Sequence, residues 1–208
     1  MNYTCNTTSN TSESLEEEVF RPSVPKPFRK VLAQSLEFYV SGPIKEPEDY
    51  VGWFDLIRNA GPNDQIYLYI NSGGGNVDTA LQFMRVLSET EAYVTASIEG
   101  SCCSAATMIF LCADAFEITP HSLFMVHNYS GGIVGKGGEI YDQALFERSW
   151  SEEFLKSIYK DFLTEEEVQK LLDNKDLWLS SEAVSKRCQT LVSKRKTRHA
   201  PIDDESGL

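Results

Sequence analysis

An apolar strand at residues 65–70 runs straight into Asn71-Ser72-Gly73-Gly74-Gly75-Asn76, and an amphipathic helix runs out of it. Three successive glycines let the backbone reach positive φ and let another chain or a ligand approach closely, because no Cβ stands in the way. After the turn, Val77, Ala80, Leu81, Met84 and Leu87 recur at helical spacing, with Asn76 or Ser72 available as the cap. Amides that point outward from such a turn, beside a helix N-terminus, suit an anion or an oxyanion. A tight connection without chemistry fits the same residues. No Gly-Lys-Ser/Thr follows the glycines and the Gly-x-Gly-x-x-Gly spacing is missing, so a nucleotide is not expected here.

With 208 residues, 41% of them hydrophobic and 24% charged, the chain suits one globular domain. A formal net charge of -12 excludes a phosphate-backbone binder, which needs a basic stripe, so no nucleic-acid partner is expected. The apolar stretches are short and interrupted by Asp and Glu, so no membrane span is expected. The first residues show no basic segment followed by an apolar one, and the expected location is cytoplasmic. Cys5, Cys102, Cys103, Cys112 and Cys188 contain no Cys-x-x-Cys pair, which fits reduced thiols and no metal site. Asn-x-Ser/Thr triplets at Asn2, Asn6, Asn10 and Asn128 are then only composition.

Residues 1–30 are polar with little apolar periodicity and are expected to form a mobile tail, and 194–208 is expected to form a polar C-terminal tail. The domain between them, 31–193, starts with a strand at 36–40, the turn Ser41-Gly42-Pro43 and a helix at 48–60. A strand at 92–98 follows the glycine-turn helix, a second sharp bend is expected from Gly100, and Met108 to Leu111 enter a buried helix. Repeated strand-then-helix units predict an α/β fold with a largely parallel sheet. Short strands are expected at 115–118 and 123–126. After the glycine-rich stretch 131–138, a long helix at 139–162 and a second one opened by the capping box Thr164-Glu165-Glu166-Glu167 form a projecting arm, about 139–172. A helix at 180–186 and a closing strand at 190–193 complete the domain.

Two exposed turns invite a search for a nucleophile and a base. His199 lies in the basic tail and His121 follows Pro120 in a turn, whereas His127 ends the apolar strand Leu123-Phe124-Met125-Val126. Ser104 sits where the second bend enters its helix, among small residues; Ser101 is its neighbour and rival, and a helix cap is the plain alternative. Cys103 is a third candidate, but its apolar surroundings offer nothing to lower a thiol pKa. By itself, a histidine at a strand end is more often a satisfied polar group than a catalytic base.

Four ordered blocks carry a resemblance. Ile66-Tyr67-Leu68-Tyr69-Ile70-Asn71-Ser72-Gly73-Gly74-Gly75, Gly100-Ser101-Cys102-Cys103-Ser104-Ala105-Ala106, Phe124-Met125-Val126-His127 and Asp176-Leu177-Trp178-Leu179-Ser180 resemble the proteolytic subunit of Clp protease, the ClpP family of serine peptidases. Together with Phe38-Tyr39-Val40-Ser41-Gly42-Pro43-Ile44, the likeness covers about 38–192. It implies a ClpP/crotonase-like fold of repeated βα units with a helical arm. It further implies Ser104 as nucleophile, His127 as general base and then acid, and Asp176 as the group that orients the imidazole; by itself Asp176 reads as a surface acid. The oxyanion would lie on the amides of Gly75 and Ala105, and an extended substrate would pair with Gly74 to Asn76 and with Asn128, Tyr129 and Ser130.

The same likeness implies two stacked heptameric rings of this chain, interdigitated by the arm. It implies a Clp ATPase unfoldase that alone uses ATP, unfolded proteins or peptides as substrates, and no cofactor. Several positions depart from the family pattern. Gly73 replaces the usual Pro, Ser101 to Ala106 replace Gln-Ala-Ala-Ser-Met-Gly, Asn128-Tyr129 replace Gln-Pro, and Lys175 replaces the Arg before the aspartate. The alternatives are a catalytically impaired ClpP-like subunit of a mixed ring and a crotonase-fold acyl-CoA enzyme. A Ser-Lys peptidase fits less well, since that class resembles membrane-associated proteins.

Overall fold

Alternation along β2 (Gln65–Ser72) sets the centre of the molecule: Ile66, Leu68, Ile70 and Ser72 are buried on one face, and Tyr67 and Tyr69 face the other. The computed structural model describes residues 32–195. In it, β2 pairs in parallel with β1 (Ser35–Ser41) on one side and β3 (Tyr93–Cys103) on the other. The outer half of the sheet comprises β4 (Ala115–Ile118) and β5 (Leu123–Val126), both parallel to β3, and β6 (Leu177–Ser180), antiparallel to β5.

Parallel neighbours need crossover connections. A short 3-10 turn (Pro47–Tyr50) with α1 (Val51–Asn59) links β1 to β2, and α2 (Val77–Glu89) links β2 to β3. Phe83 of α2 meets Phe54 and Tyr50 edge-on, with ring centroids 4.8 and 5.3 Å apart, which fixes α2 against α1. The short α3 (Ala105–Phe110) is buried at every position. The arm follows as α4 (Gly137–Tyr159) and α5 (Glu165–Leu172), and α6 (Ser181–Lys194) closes the chain. In α4 only Ser151, Leu155 and Tyr159 are buried, so its C-terminal end carries the attachment to the core.

Three expectations change. β3 does not bend at Gly100 but continues to Cys103, because the register slips between Ile70↔Ile98 and Ser72↔Cys102. The extra residues form a bulge braced by Asn71, whose Oδ1 accepts from the Ser101 N–H at 3.0 Å; a Cβ on Gly100 would come within 2.7 Å of that oxygen. The bulge lets the first half of β3 pair with β4 and the second with β5. At the other end, 190–193 is helix, not a closing strand: Val184, Cys188 and Leu191 form a buried helical stripe that overrides the β-branched residues there. The unexpected strand is β6. The expected tails lie outside the described residues, except for Lys194 and Arg195.

The capping box of α5 forms, with Glu167 N–H donating to Thr164 Oγ1 (3.2 Å) and Thr164 N–H to Glu167 Oε2 (2.9 Å). Arg187 of α6 also grips Glu167 through two bonds of 2.7 and 2.8 Å. This guanidinium pulls the carboxyl of Glu167 down to about 2 from 4.5. A carboxylate depressed in the folded state adds stability above its ordinary pKa that is lost as pH falls towards the folded value. Urea unfolding should therefore weaken between pH 5 and pH 3 more in the wild type than in Glu167→Gln, by at most about 2 kcal/mol. Parallel pH profiles would contradict the assignment.

Candidate active site

Ser104 occupies the corner between β3 and α3 with φ 55° and ψ −129°. A residue bearing a Cβ enters this region at a cost of about 1–3 kcal/mol, so surrounding contacts must hold it. Its N–H donates to the Met125 carbonyl at 2.8 Å, and its own carbonyl accepts from the N–H and the hydroxyl of Thr107 at 2.9 and 2.7 Å. Although Ser104 sits at the cap position of α3, its side chain caps nothing there. The Oγ lies 2.7 Å from Nε2 of His127, the first residue beyond β5. The parallel register Cys103↔Met125 is what brings the two strand ends together.

The glycine turn packs on the same corner. Ser72, buried at the end of β2, donates its hydroxyl to the Gly42 carbonyl (2.6 Å) and accepts from the Gly74 N–H (3.1 Å). Gly74 has φ +97°, and a Cβ there would stand 2.6 Å from Cβ of Ser104 and 2.8 Å from the Cys103 carbonyl. Only glycine permits that approach. Ile44 fastens the far side of the turn, donating to the Gly74 carbonyl and accepting from the Asn76 N–H, each at 2.9 Å. Among the described residues, nothing accepts from the N–H of Gly75 or of Ala105. Two free amides thus belong to the glycine turn and to the start of α3, which meet at the Ser104 corner. Asn76 caps α2 through Thr79.

The rivals are placed elsewhere. Ser101 lies within β3 opposite Leu123. Burial pushes the Cys103 thiol up, away from the reactive thiolate, and Cys102, Cys103, Cys112 and Cys188 are all free thiols.

Asp176 is less engaged. It directly precedes β6, and the last pair of that ladder is Val126↔Leu177, so one step further sets Asp176 opposite His127. Its carboxylate is exposed and makes no hydrogen bond to His127. The two segments are tied one position out by Asn128 Nδ2 donating to Asn174 Oδ1 at 3.0 Å. The structure therefore assembles the serine and the imidazole and leaves the third group unbonded.

Beyond His127 a cavity of about 780 Å³ opens between the following segment, α4 and α5. Asn128, Tyr129 and Ser130 form one wall, and Glu147, Ser151 and Asn174 are among the residues facing them. Tyr129 donates its hydroxyl to Glu147 Oε2 at 3.1 Å; burial, then this carboxylate, raises the phenol pKa. Among the described residues, no group of three His, Cys, Asp or Glu could hold a metal ion. Nor is any helix among them long and apolar enough to cross a membrane.

The model of the Clp protease family matches residues 46–187, more than half of the sequence, including the glycine turn, Ser104, His127 and Asp176. The chain belongs to the Clp protease family. It is 31% identical over 84 residues to an ATP-dependent Clp protease proteolytic subunit from Chlorella vulgaris, a match covering 39% of this chain and 42% of that relative. The chain thus spans about two fifths of the relative's length. A solved structure of a ClpP1 mutant from Listeria monocytogenes superposes with a TM-score of 0.59 at 22% identity, covering 73% of this chain and 86% of that one. The fold is accordingly ClpP-like, and the family is one of peptidases.

Sequence reasoning missed Ser72, Asn71, Thr107 and Tyr159 as parts of this site. For Ser72 a signal existed, since strand alternation turns it inward. A polar residue at a buried strand position must be hydrogen-bonded.

Proposed function

We propose that this chain is a serine endopeptidase that hydrolyses peptide bonds through an acyl-enzyme, and that it works as the proteolytic subunit of a Clp-type compartment. The observation that carries the reading is the 2.7 Å contact between Ser104 Oγ and His127 Nε2 beside the free amides of Gly75 and Ala105. With its proton on Nδ1, His127 accepts the Ser104 proton as Oγ attacks the substrate carbonyl, and then gives it to the leaving amine. The N–H groups of Gly75 and Ala105 receive the oxyanion, where each donor is worth roughly 3–4 kcal/mol of barrier. Water, activated by the same imidazole, releases the acyl group from Ser104.

Asp176 turns towards Nδ1 to hold the tautomer and stabilise the imidazolium. The extended substrate lies across the corner, with Gly74 to Asn76 on one side and Asn128, Tyr129 and Ser130 on the other, as backbone pairing allows. By family likeness the subunits stack as two heptameric rings and receive unfolded chains from a Clp ATPase. The purified protein should cleave a short fluorogenic peptide, and Ser104→Ala should not; equal turnover by both would remove Ser104 from the mechanism. Negative-stain images of the same sample should show seven-fold rings, and monomers alone would contradict the compartment.

A second reading is favoured by the unbonded carboxylate of Asp176. It is a subunit that is weak alone and completes its triad only beside an active relative in a mixed ring. Turnover that rises with addition of such a relative, and still depends on Ser104, separates the two readings.

A further inference from the structure

Thr107 makes a contact that reaches from the corner to the arm. Its Oγ1 donates to the Ser104 carbonyl at 2.7 Å and lies 2.7 Å from the hydroxyl of Tyr159. A threonine hydroxyl has one proton, so with that proton given to Ser104 the Tyr159 hydroxyl is the donor in the second bond. Both side chains are buried, Thr107 completely and Tyr159 to within 2%. Burial also raises the Tyr159 phenol far above its ordinary value, which keeps its proton in place. The bonds therefore run one way, from Tyr159 at the end of α4, through Thr107 in α3, to the carbonyl of Ser104.

The carbonyl of Ser104 and the N–H of Ala105 belong to a single planar trans peptide, so they point in opposite directions. Whatever anchors that oxygen aims that N–H. Thr107 anchors it twice, through N–H and hydroxyl, while the Ser104 backbone sits in a region it would otherwise leave. We infer that Thr107 and Tyr159 are positioning residues that lock the Ser104–Ala105 peptide plane, so that the Ala105 amide faces the oxyanion and the seating of the arm is felt at the nucleophile. The inference rests on Ser104 acting as nucleophile. It involves no group that touches substrate.

The test compares wild type, Thr107→Val, Thr107→Ser and Tyr159→Phe, reading kcat and KM on a fluorogenic peptide and the rate of fluorophosphonate labelling at Ser104. Losing the hydroxyl in Thr107→Val should lower kcat and the labelling rate by roughly five-fold with KM unchanged, since one hydrogen bond is worth about 1 kcal/mol. Thr107→Ser should restore both. Tyr159→Phe keeps the bond to Ser104 and removes only its support, so its kcat should fall by roughly two- to five-fold. Wild-type kcat and labelling in both Thr107→Val and Tyr159→Phe would overturn the relay, as would a loss that Thr107→Ser fails to restore. A wild-type protein without any adduct at Ser104 would instead overturn the reading of the site, and the relay with it.

Discussion

Exchange of His127 for alanine lowers kcat/KM for peptide hydrolysis by about 10⁴-fold or more, with the melting temperature little changed. The magnitude follows from the shared work of the pair: once the base is gone, the hydroxyl of Ser104 stays protonated, and only the free amides and substrate binding still act. His127 is half-buried beyond the end of β5, and its side chain bonds to Ser104, so its removal disturbs chemistry far more than packing. Steady-state kinetics with a fluorogenic peptide measure the effect. A loss of less than ten-fold would mean that the 2.7 Å contact is only structural.

The second large effect belongs to a residue without a side chain. In Gly74→Ala the new Cβ would stand 2.6 Å from Cβ of Ser104 and 2.8 Å from the Cys103 carbonyl, at a φ of +97° that alanine disfavours. Backbone strain and overpacking together should cost roughly 2–4 kcal/mol of stability. Relief of the clash must displace Ser104 or the turn, and a shift of about 1 Å at a reacting group is worth on the order of 100-fold in rate. Gly73→Ala is the control. No atom stands within 4 Å of a Cβ there, so both stability and activity should remain near wild type. Chemical unfolding and peptide turnover on the two variants test the contrast; equal behaviour would show that Gly74 is not pressed against the nucleophile.

Local periodicity made the first half of the fold readable. The alternation of β2 and the helical spacing of α2 each serve one buried face, and no distant contact opposes them. Where tertiary pairing overrules local preference, reading failed. Gly100 looks like a breaker but absorbs a bulge between two long-range partners of β3, and the Thr-Leu-Val run at 190–192 looks like a strand but is helical, because Leu191 completes the buried stripe of α6. The Ser104–His127 pair had to be carried by family likeness, because 23 residues separate its members and only the β3–β5 register joins them. Thr107 and Tyr159 gave no linear sign at all, being 52 residues apart.

The most direct measurement of the account is the location of a fluorophosphonate adduct by peptide mass spectrometry, on wild type and His127→Ala in parallel. The expected result is one adduct, on Ser104, that forms in the wild type and is almost absent without the imidazole. An adduct on Ser101 or another residue, or one on Ser104 that forms equally fast in His127→Ala, would contradict it.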